Sequence, residues 1–332
     1  MKQKKYKAAV IGLGRIGAEE RNYKKEVRPA THAAMYSKNP KIKLVALVDN
    51  NPEKLKRAGR QFPNAALFFS AKEMMSQIKP DIVSIATPPD SHLPLVKLAA
   101  EYGVKAIVCE KPIAGSLSQA KAIINICKKN KSMLFVNHQR RFDPLLRAWQ
   151  AKIKKGIIGK VVQCSCFYYN GFLNNGTHVI DLLLFFLGKP KWVRAVENKE
   201  TSWKKGDKDL DVLIEFKNKT RVAIQALPKN YVFSDICFFG KKGRVSITNM
   251  TYSVEFQKLA RNKYFNGYYA LSDKVEKTGK IRSFMEHVAE NVVDCLQGRA
   301  KPYSTGEDAM GALKIIFAAR KSAEKNGKII KL

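Results

Sequence analysis

The sequence predicts an α/β domain followed by an α+β domain: a doubly wound parallel sheet, then a large, mostly antiparallel sheet flanked by helices. Three observations carry this. Over the first 137 residues, short apolar runs alternate with helical patterns, the rhythm of βαβ units. The first run closes on a glycine-spaced turn, "GLGRIG". Beyond residue 160, strands of alternating polarity follow one another, and two helical patterns end the chain.

Taken in order, Val10-Ile11 lies in the first strand, and residues 42–49, "IKLVALVD", form the second. Residues 51–62 read as a helix with Asn51 as N-cap and Pro52 at its first position. "AALFFS" is a short strand, "AKEMMSQI" a helix, and residues 80–87 a strand. Residues 91–103 are helical and stop at Gly103. "KAIVCE" is a strand, residues 116–130 a helix, and "MLFVN" the last strand of the first half. Continuously apolar strands joined by helices mean a parallel sheet covered on both faces.

The second half opens with a helix over 144–155 and a long strand over 160–170. Residues 176–188, "GTHVIDLLLFFLG", form a buried helix closed by glycine. Strands follow at 191–198, 209–217, 220–227, 234–240, 243–248 and 253–258, with "FKNKTR" as a hairpin turn. Residues 261–280 are the least patterned and read as a mobile loop. Helices over 282–298 and 306–327 close the chain. The domains are set at 1–138, a nucleotide-binding α/β domain, and 139–332, an α+β domain.

Composition narrows the class. The 332 residues are 45% hydrophobic, ordinary for a globular protein. No apolar stretch reaches the 18 or so residues of a membrane span. The basic N-terminus and its apolar run resemble a signal peptide, but the run is short, is broken by Arg15, and lacks a cleavage site. The six cysteines form no CxxC and no zinc spacing, which fits a reducing cytoplasm, and no metal set is found. The net charge of +33 is spread along the whole chain as lysine. It reads as a general lysine bias, with selection for an anionic substrate or surface as the alternative, and no nucleic-acid motif accompanies it.

"VIGLGRIG" places Gly12, Gly14 and Gly17, with Arg15 and Ile16 between them, after a strand. Gly12 permits the tight turn, Gly14 lets backbone approach a pyrophosphate, and Gly17 allows close packing. The second strand ends in Asp49, the carboxylate expected on the adenosine ribose. It lies 32 residues past Gly17, so residues 19–40 lengthen the connection. Asp49 would repel a 2′-phosphate and favours NAD, while nearby Lys54 and Arg57 keep NADP open. "IATPPDSH" puts Thr87, Pro88 and His92 at another strand's carboxyl end, where ligands bind in such sheets. "IVCEKP" brings Glu110, Lys111 and Pro112 to the same edge.

The chain resembles the glucose–fructose oxidoreductase/inositol dehydrogenase family, Gfo/Idh/MocA. The residues that match are "VIGLGRIG", Asp49, "ATPPDSH", "CEKP", "NHQRRFDP", "GTHVID" and "STGEDAMGALKIIFAARKSAEKNGK", spread over essentially the whole length. The resemblance implies a Rossmann domain holding NAD or NADP, and a homodimer or homotetramer built on the second domain's sheet. It implies that Lys111 contacts both substrate and nicotinamide ribose, and a cis Lys111–Pro112 bond would aim the lysine. A lysine beside a cofactor cation has its pKa lowered and can take a hydroxyl proton. His178 is implied as proton acceptor, with Asp181 on the same helix face.

Many members carry an aspartate four residues before that histidine. This chain has Asn174, which binds a hydroxyl but takes no proton. The resemblance also puts Asn137 near the nicotinamide and Arg141 near the substrate, and Tyr169 lines the sugar pocket. His32, His138 and His287 have no partner that the sequence identifies and read as structural. The sum is an NAD(P)-dependent oxidoreductase of a sugar, cyclitol or nucleotide-sugar alcohol. The alternatives are an enzyme that retains NAD through net non-redox sugar chemistry, and a non-catalytic NAD-binding regulator.

Overall fold

The computed structural model describes residues 5–332; the start of the lysine-rich lead-in, residues 1–4, lies outside the described residues. The chain divides into two compact units. One runs through Asp143 and takes in Arg282–Met310; the other holds Pro144–Ile281 and Gly311–Leu332.

The first unit is built on six parallel strands: β1 (Tyr6–Ile11), β2 (Ile42–Val48), β3 (Ala66–Phe68), β4 (Ile82–Ile85), β5 (Ala106–Cys109) and β6 (Met133–Val136). Their spatial order is β3-β2-β1-β4-β5-β6, the doubly wound order with its topological switch between β1 and β4. Every residue of β4 and β5 is buried, as the unbroken apolar runs require of a sheet covered on both faces. The helices are α1 (His32–Lys38), α2 (Pro52–Gln61), α3 (Ala71–Ile78), α4 (His92–Glu101) and α5 (Leu117–Lys129). Side-chain oxygens start several of them: Asn51 accepts from the Lys54 amide at 3.0 Å and Ser116 from the Gln119 amide at 3.2 Å. Gly103, at φ +73°, follows the end of α4.

In the second unit, α6 (Pro144–Lys154) and α7 (Thr177–Leu187) accompany a ten-stranded sheet. Its strands are β7 (Val161–Tyr169), β8 (Pro190–Glu197), β9 (Leu210–Phe216), β10 (Arg221–Leu227), β11 (Ile236–Gly240), β12 (Gly243–Thr248), β13 (Ser253–Arg261), β14 (Tyr269–Leu271), β15 (Glu276–Gly279) and β16 (Ile330–Lys331). Neighbours are antiparallel except β7 and β10. Alternate residues of β7, β9 and β10 are buried in one core with α7, which explains their alternating polarity.

Residues 261–280, read from sequence as a mobile loop, instead hold β14 and β15, both paired to β13. All four residues of β15 are exposed, so no alternation marks it, and the backbone ladder to β13 defines the strand.

Two helices close the chain, α8 (Met285–Leu296) and α9 (Gly306–Glu324). The sequence boundary at 138/139 gives both to the second domain. In the structure, α8 lies in the first unit, where Met285, Val288, Val292 and Val293 join the core beneath β1 and β6. An amphipathic helix has no sequence label for the sheet it covers. The boundary between units falls inside α9, after Met310. Among the described residues no helix is long and apolar enough to cross a membrane.

Met285 is 1% exposed and its sulfur accepts from the Asn137 amide. Met285→Ala is expected to lower stability by about 2–5 kcal/mol in urea unfolding. A loss below about 0.5 kcal/mol would show that α8 does not close this core.

Candidate active site

The carboxyl edge of the first sheet forms a cleft of about 750 Å³ lined by Gly12, Gly14, Asp49, Thr87, Pro88 and Leu95 among others. Gly12 sits at φ +89°, and a Cβ there would lie 2.7 Å from the Ala86 carbonyl oxygen, so only glycine lets β1 and β4 approach this closely. A Cβ at Gly17 would lie 1.9 Å from the Gly12 oxygen. At Gly14 it would meet nothing within 4 Å, so the backbone there is bare toward open space.

Asp49 ends β2 and is 8% exposed. Its carboxylate accepts from the Leu13 amide at 2.8 Å and the Asn51 amide at 3.0 Å, which pins it beside the glycine turn. Lys54 Nζ stands 3.9 Å away, and Arg57 is turned to Glu19 at 3.0 Å.

The long spacing between Gly17 and Asp49 has a specific cause. After Gly14 the chain makes one helical turn, with the Gly17 and Ala18 amides on the Gly14 carbonyl. It then leaves, and α1 resumes the same ladder: His32 N–H bonds Ile16 O at 3.0 Å and Ala33 N–H bonds Gly17 O at 2.9 Å. One helix is thus interrupted by residues 18–31. Without them Asp49 would follow at the usual spacing of about 20 residues. Buried Glu20 clamps the base of this excursion, accepting from the Ala30 amide at 3.0 Å and the Thr31 hydroxyl at 2.9 Å. Arg15 lies over the Tyr23 ring at 5.7 Å and ties the excursion to the glycine turn.

Glu110 follows β5 and is 7% exposed. Its Oε1 accepts from His32 Nε2 at 2.9 Å and Asn137 Nδ2 at 2.5 Å, and its Oε2 from the Lys111 amide at 3.1 Å. Burial pushes the carboxyl pKa up, but the His32 ring, the Asn137 hydrogen bond and the Lys111 charge together outweigh it and hold the group below the usual carboxylate range. The Lys111–Pro112 peptide is cis. Asn137 spends its amide donors on Glu110 and on the Met285 sulfur, while its buried Oδ1 has no hydrogen-bond partner.

These features fit a dinucleotide. Gly14 offers bare backbone for a pyrophosphate, Asp49 a fixed carboxylate for a ribose diol, and the orphaned Asn137 oxygen an acceptor for an amide N–H. Two expected contacts have other partners. His92 is fully buried, its ring nitrogens 2.9 Å and 3.1 Å from the Thr87 and Ile113 carbonyls, where it braces the loop behind Thr87 and Pro88. Arg141 is 5% exposed and pairs with Asp308 at 2.9 Å.

In the second unit, β7 ends at half-buried Tyr169 and the chain turns through residues 170–176 into α7. Two carboxylates hold that turn by its backbone. Asp207 accepts from the Leu173 amide at 2.8 Å and the Asn174 amide at 3.0 Å, and Asp209 from the Gly171 amide at 2.9 Å. Arg320 pairs with Asp207 at 3.2 Å. Asn174 donates to the Asn170 carbonyl at 3.2 Å. His178, half-buried, is the second residue of α7, and Asp181, 1% exposed, lies three residues on along the helix.

Sequence reading missed His32, Tyr23, Glu20, Asp207 and Asp209. The one signal for the first three was the excess length between Gly17 and Asp49, which announces an insertion at the site. The aspartates act on backbone amides far away in sequence, a role no spacing reveals.

A family model described as oxidoreductase family, NAD-binding Rossmann fold, matches residues 6–138. A second, its C-terminal alpha/beta domain, matches residues 171–332. The chain is 25% identical to a D-apiose dehydrogenase of Paraburkholderia graminis, across 99% of this chain and 90% of that protein. It is 33% identical to an inositol 2-dehydrogenase of Rhizobium meliloti, over 46% of this chain and 42% of that one. The crystal structure of the WlbA dehydrogenase from Bordetella pertussis, in complex with NADH and UDP-GlcNAcA, superposes with a TM-score of 0.79 at 20% identity over 99% of each chain.

The glycines separate cofactor binding from folding. Gly14→Ala is expected to keep the melting temperature and to weaken NAD binding at least about tenfold by calorimetry. Gly17→Ala is expected to destabilise the fold itself, because its Cβ meets backbone. Undiminished NAD affinity in Gly14→Ala would place the pyrophosphate elsewhere.

Proposed function

We propose the reaction from this premise: the chain belongs to the Gfo/Idh/MocA oxidoreductase family, whose two models match residues 6–138 and 171–332. The protein is an NAD(P)-dependent oxidoreductase. Its substrate is a secondary alcohol of a sugar, cyclitol or nucleotide-sugar, and Lys111 and His178 handle the hydroxyl proton. The observation that carries this reading is Lys111 at the carboxyl edge of β5, its amide fixed by the buried Glu110 carboxylate. The names of the relatives, which act on apiose and inositol, support the substrate class. A charge of +33 favours an anionic member of it.

NAD, when bound, supplies the nicotinamide carbon that accepts the hydride. Lys111 Nζ binds the substrate hydroxyl and takes its proton. Asn137 Oδ1 would accept from the cofactor's amide, and Asp49 would bond the adenosine ribose hydroxyls. His178, the second residue of α7, is the second group we assign to that proton, with Asp181 three residues on along the same helix. Asn174 holds a hydroxyl without taking its proton. Tyr169 is read as a residue of the sugar pocket, and Arg141, which pairs with Asp308, as a substrate residue, as the family resemblance implies. Thr87, Pro88, Arg15 and Ile16 complete the cofactor cradle.

Asn174 also favours a second reading, in which NAD stays bound through net non-redox chemistry. We further read the protein as a cytoplasmic homo-oligomer that binds no nucleic acid. Free thiols at all six cysteines support the compartment. Exposed Val196, Leu213 and Phe239 on β8, β9 and β11 support an association surface.

With NAD and a panel of sugars, inositols and nucleotide-sugars, one substrate class is expected to form NADH at 340 nm. Lys111→Ala is expected to lower kcat by about 10²–10⁴-fold. Tight NAD binding with no NADH from any class would favour the retained-cofactor reading. The wild type is expected to prefer NAD over NADP. Asp49→Ser removes the repelling carboxylate beside Lys54, so the ratio of kcat/KM values should narrow or invert; an unchanged ratio would show that Asp49 does not select the cofactor.

A further inference from the structure

A column of hydrogen bonds crosses the core of the first unit and ends under Lys111. Tyr36 OH lies 2.7 Å from Ser84 Oγ, Ser84 Oγ 2.9 Å from His32 Nδ1, and His32 Nε2 2.9 Å from Glu110 Oε1. Tyr36, Ser84 and His32 are all 0% exposed, so water is no partner for any of them. Glu110 then accepts from the Lys111 amide at 3.1 Å.

The proton inventory of this column has one fully matched arrangement. Tyr36 and Ser84 each bring one hydroxyl proton. If His32 Nε2 carries the ring proton, Nε2–H donates to Glu110. Ser84 donates to Nδ1, and Tyr36 donates to Ser84. Every donor then meets an acceptor. If Nδ1 carries a proton, it donates to Ser84, and one hydroxyl proton of the Ser84–Tyr36 pair points into apolar core. In the neutral form with its proton on Nδ1, the Nε2 lone pair would also face the carboxylate. Burying an unmatched donor is costly, so the two hydroxyls select the Nε2–H tautomer.

We propose that His32 is a positioning residue for Lys111. Ser84 and Tyr36 hold it as the Nε2–H tautomer, it fixes the Glu110 carboxylate, and Glu110 fixes the Lys111 backbone. The inference rests on the reading of Lys111 given above. His32 reaches Glu110 because α1 rejoins the helical ladder at Ile16 and Gly17, with Glu20 clamping Ala30 and Thr31 immediately before it. The excursion over residues 18–31 therefore ends on the residue that braces the site.

The test uses the whole protein and the NADH assay, with His32→Leu, His32→Gln, Lys111→Ala and the His32→Leu/Lys111→Ala double variant. His32→Leu is expected to lower kcat about tenfold or more with NAD affinity kept. His32→Gln, whose amide N–H replaces Nε2–H, is expected to recover most of it. In the Lys111→Ala background, His32→Leu should cost less than about twofold of the residual rate, because it acts through Lys111. The imidazole ¹⁵N spectrum of the wild type should show the proton on Nε2 alone. That spectrum needs no variant, so it decides the matter even if His32→Leu fails to fold.

An unimpaired His32→Leu, a His32→Gln no better than it, a full loss repeated without Lys111, or a proton on Nδ1 would each overturn the proposal. Undiminished NADH formation by Lys111→Ala alone would instead remove the reading of Lys111.

Discussion

Glu110 is the constraint on which the site depends. It follows a strand whose four residues are wholly buried, and at 7% exposure its carboxylate can remain ionised only if protein donors replace water. Three do, and each belongs to a different piece of chain: His32 to α1, Asn137 to the segment after β6, and the Lys111 amide to the end of β5 itself. One charge therefore locks three segments of the sheet's carboxyl edge into a single geometry. Asn137 is left with one unsatisfied oxygen and Lys111 with a fixed backbone, the two features on which the proposed reading of the site rests.

The same device recurs wherever a loop must hold still. Glu20 gathers the Ala30 amide and the Thr31 hydroxyl, Asp49 the Leu13 and Asn51 amides, and Asp207 the Leu173 and Asn174 amides. In a chain with 28 acidic residues against 61 basic ones, carboxylates are scarce, and this set serves as backbone anchors. A carboxylate is suited to the task because it accepts several N–H bonds at once and each is charge-assisted. Several of the remaining carboxylates pair with exposed lysines, as Asp81 does with Lys105 and Glu215 with Lys191, pairs of small energetic weight.

The parts of this protein that obey local rules were legible in the sequence. "NPEKLKRAGRQF" carries its own cap, and the helix begins at Pro52 as the cap dictates. Fully apolar "AIVC" can only be an interior parallel strand, and it lies between β4 and β6. The glycine turn, Asp49, Thr87 and Lys111 follow the carboxyl ends of strands, positions that the alternation of strands and helices already marks. What stayed hidden depends on distance. His32 gave no hint of Glu110, which lies 78 residues away, and read as a histidine without a partner. The helix α8 has an apolar stripe that suits either sheet, and only tertiary packing assigns it to the first core. Strands β14 and β15 are held by backbone hydrogen bonds with little burial, so side-chain pattern could not announce them.

The account turns on Glu110 being an ionised carboxylate beneath Lys111. The direct measurement is the ¹³C carboxyl signal of Glu110 followed through an acid titration, assigned with Glu110→Gln. The account predicts that the signal holds its ionised position as pH falls, and moves only after the exposed glutamates have titrated, because the His32 ring, the Asn137 donor and the Lys111 charge favour the charged form over the effect of burial. A Glu110 signal that titrates together with the exposed glutamates, or at higher pH than they do, would contradict it.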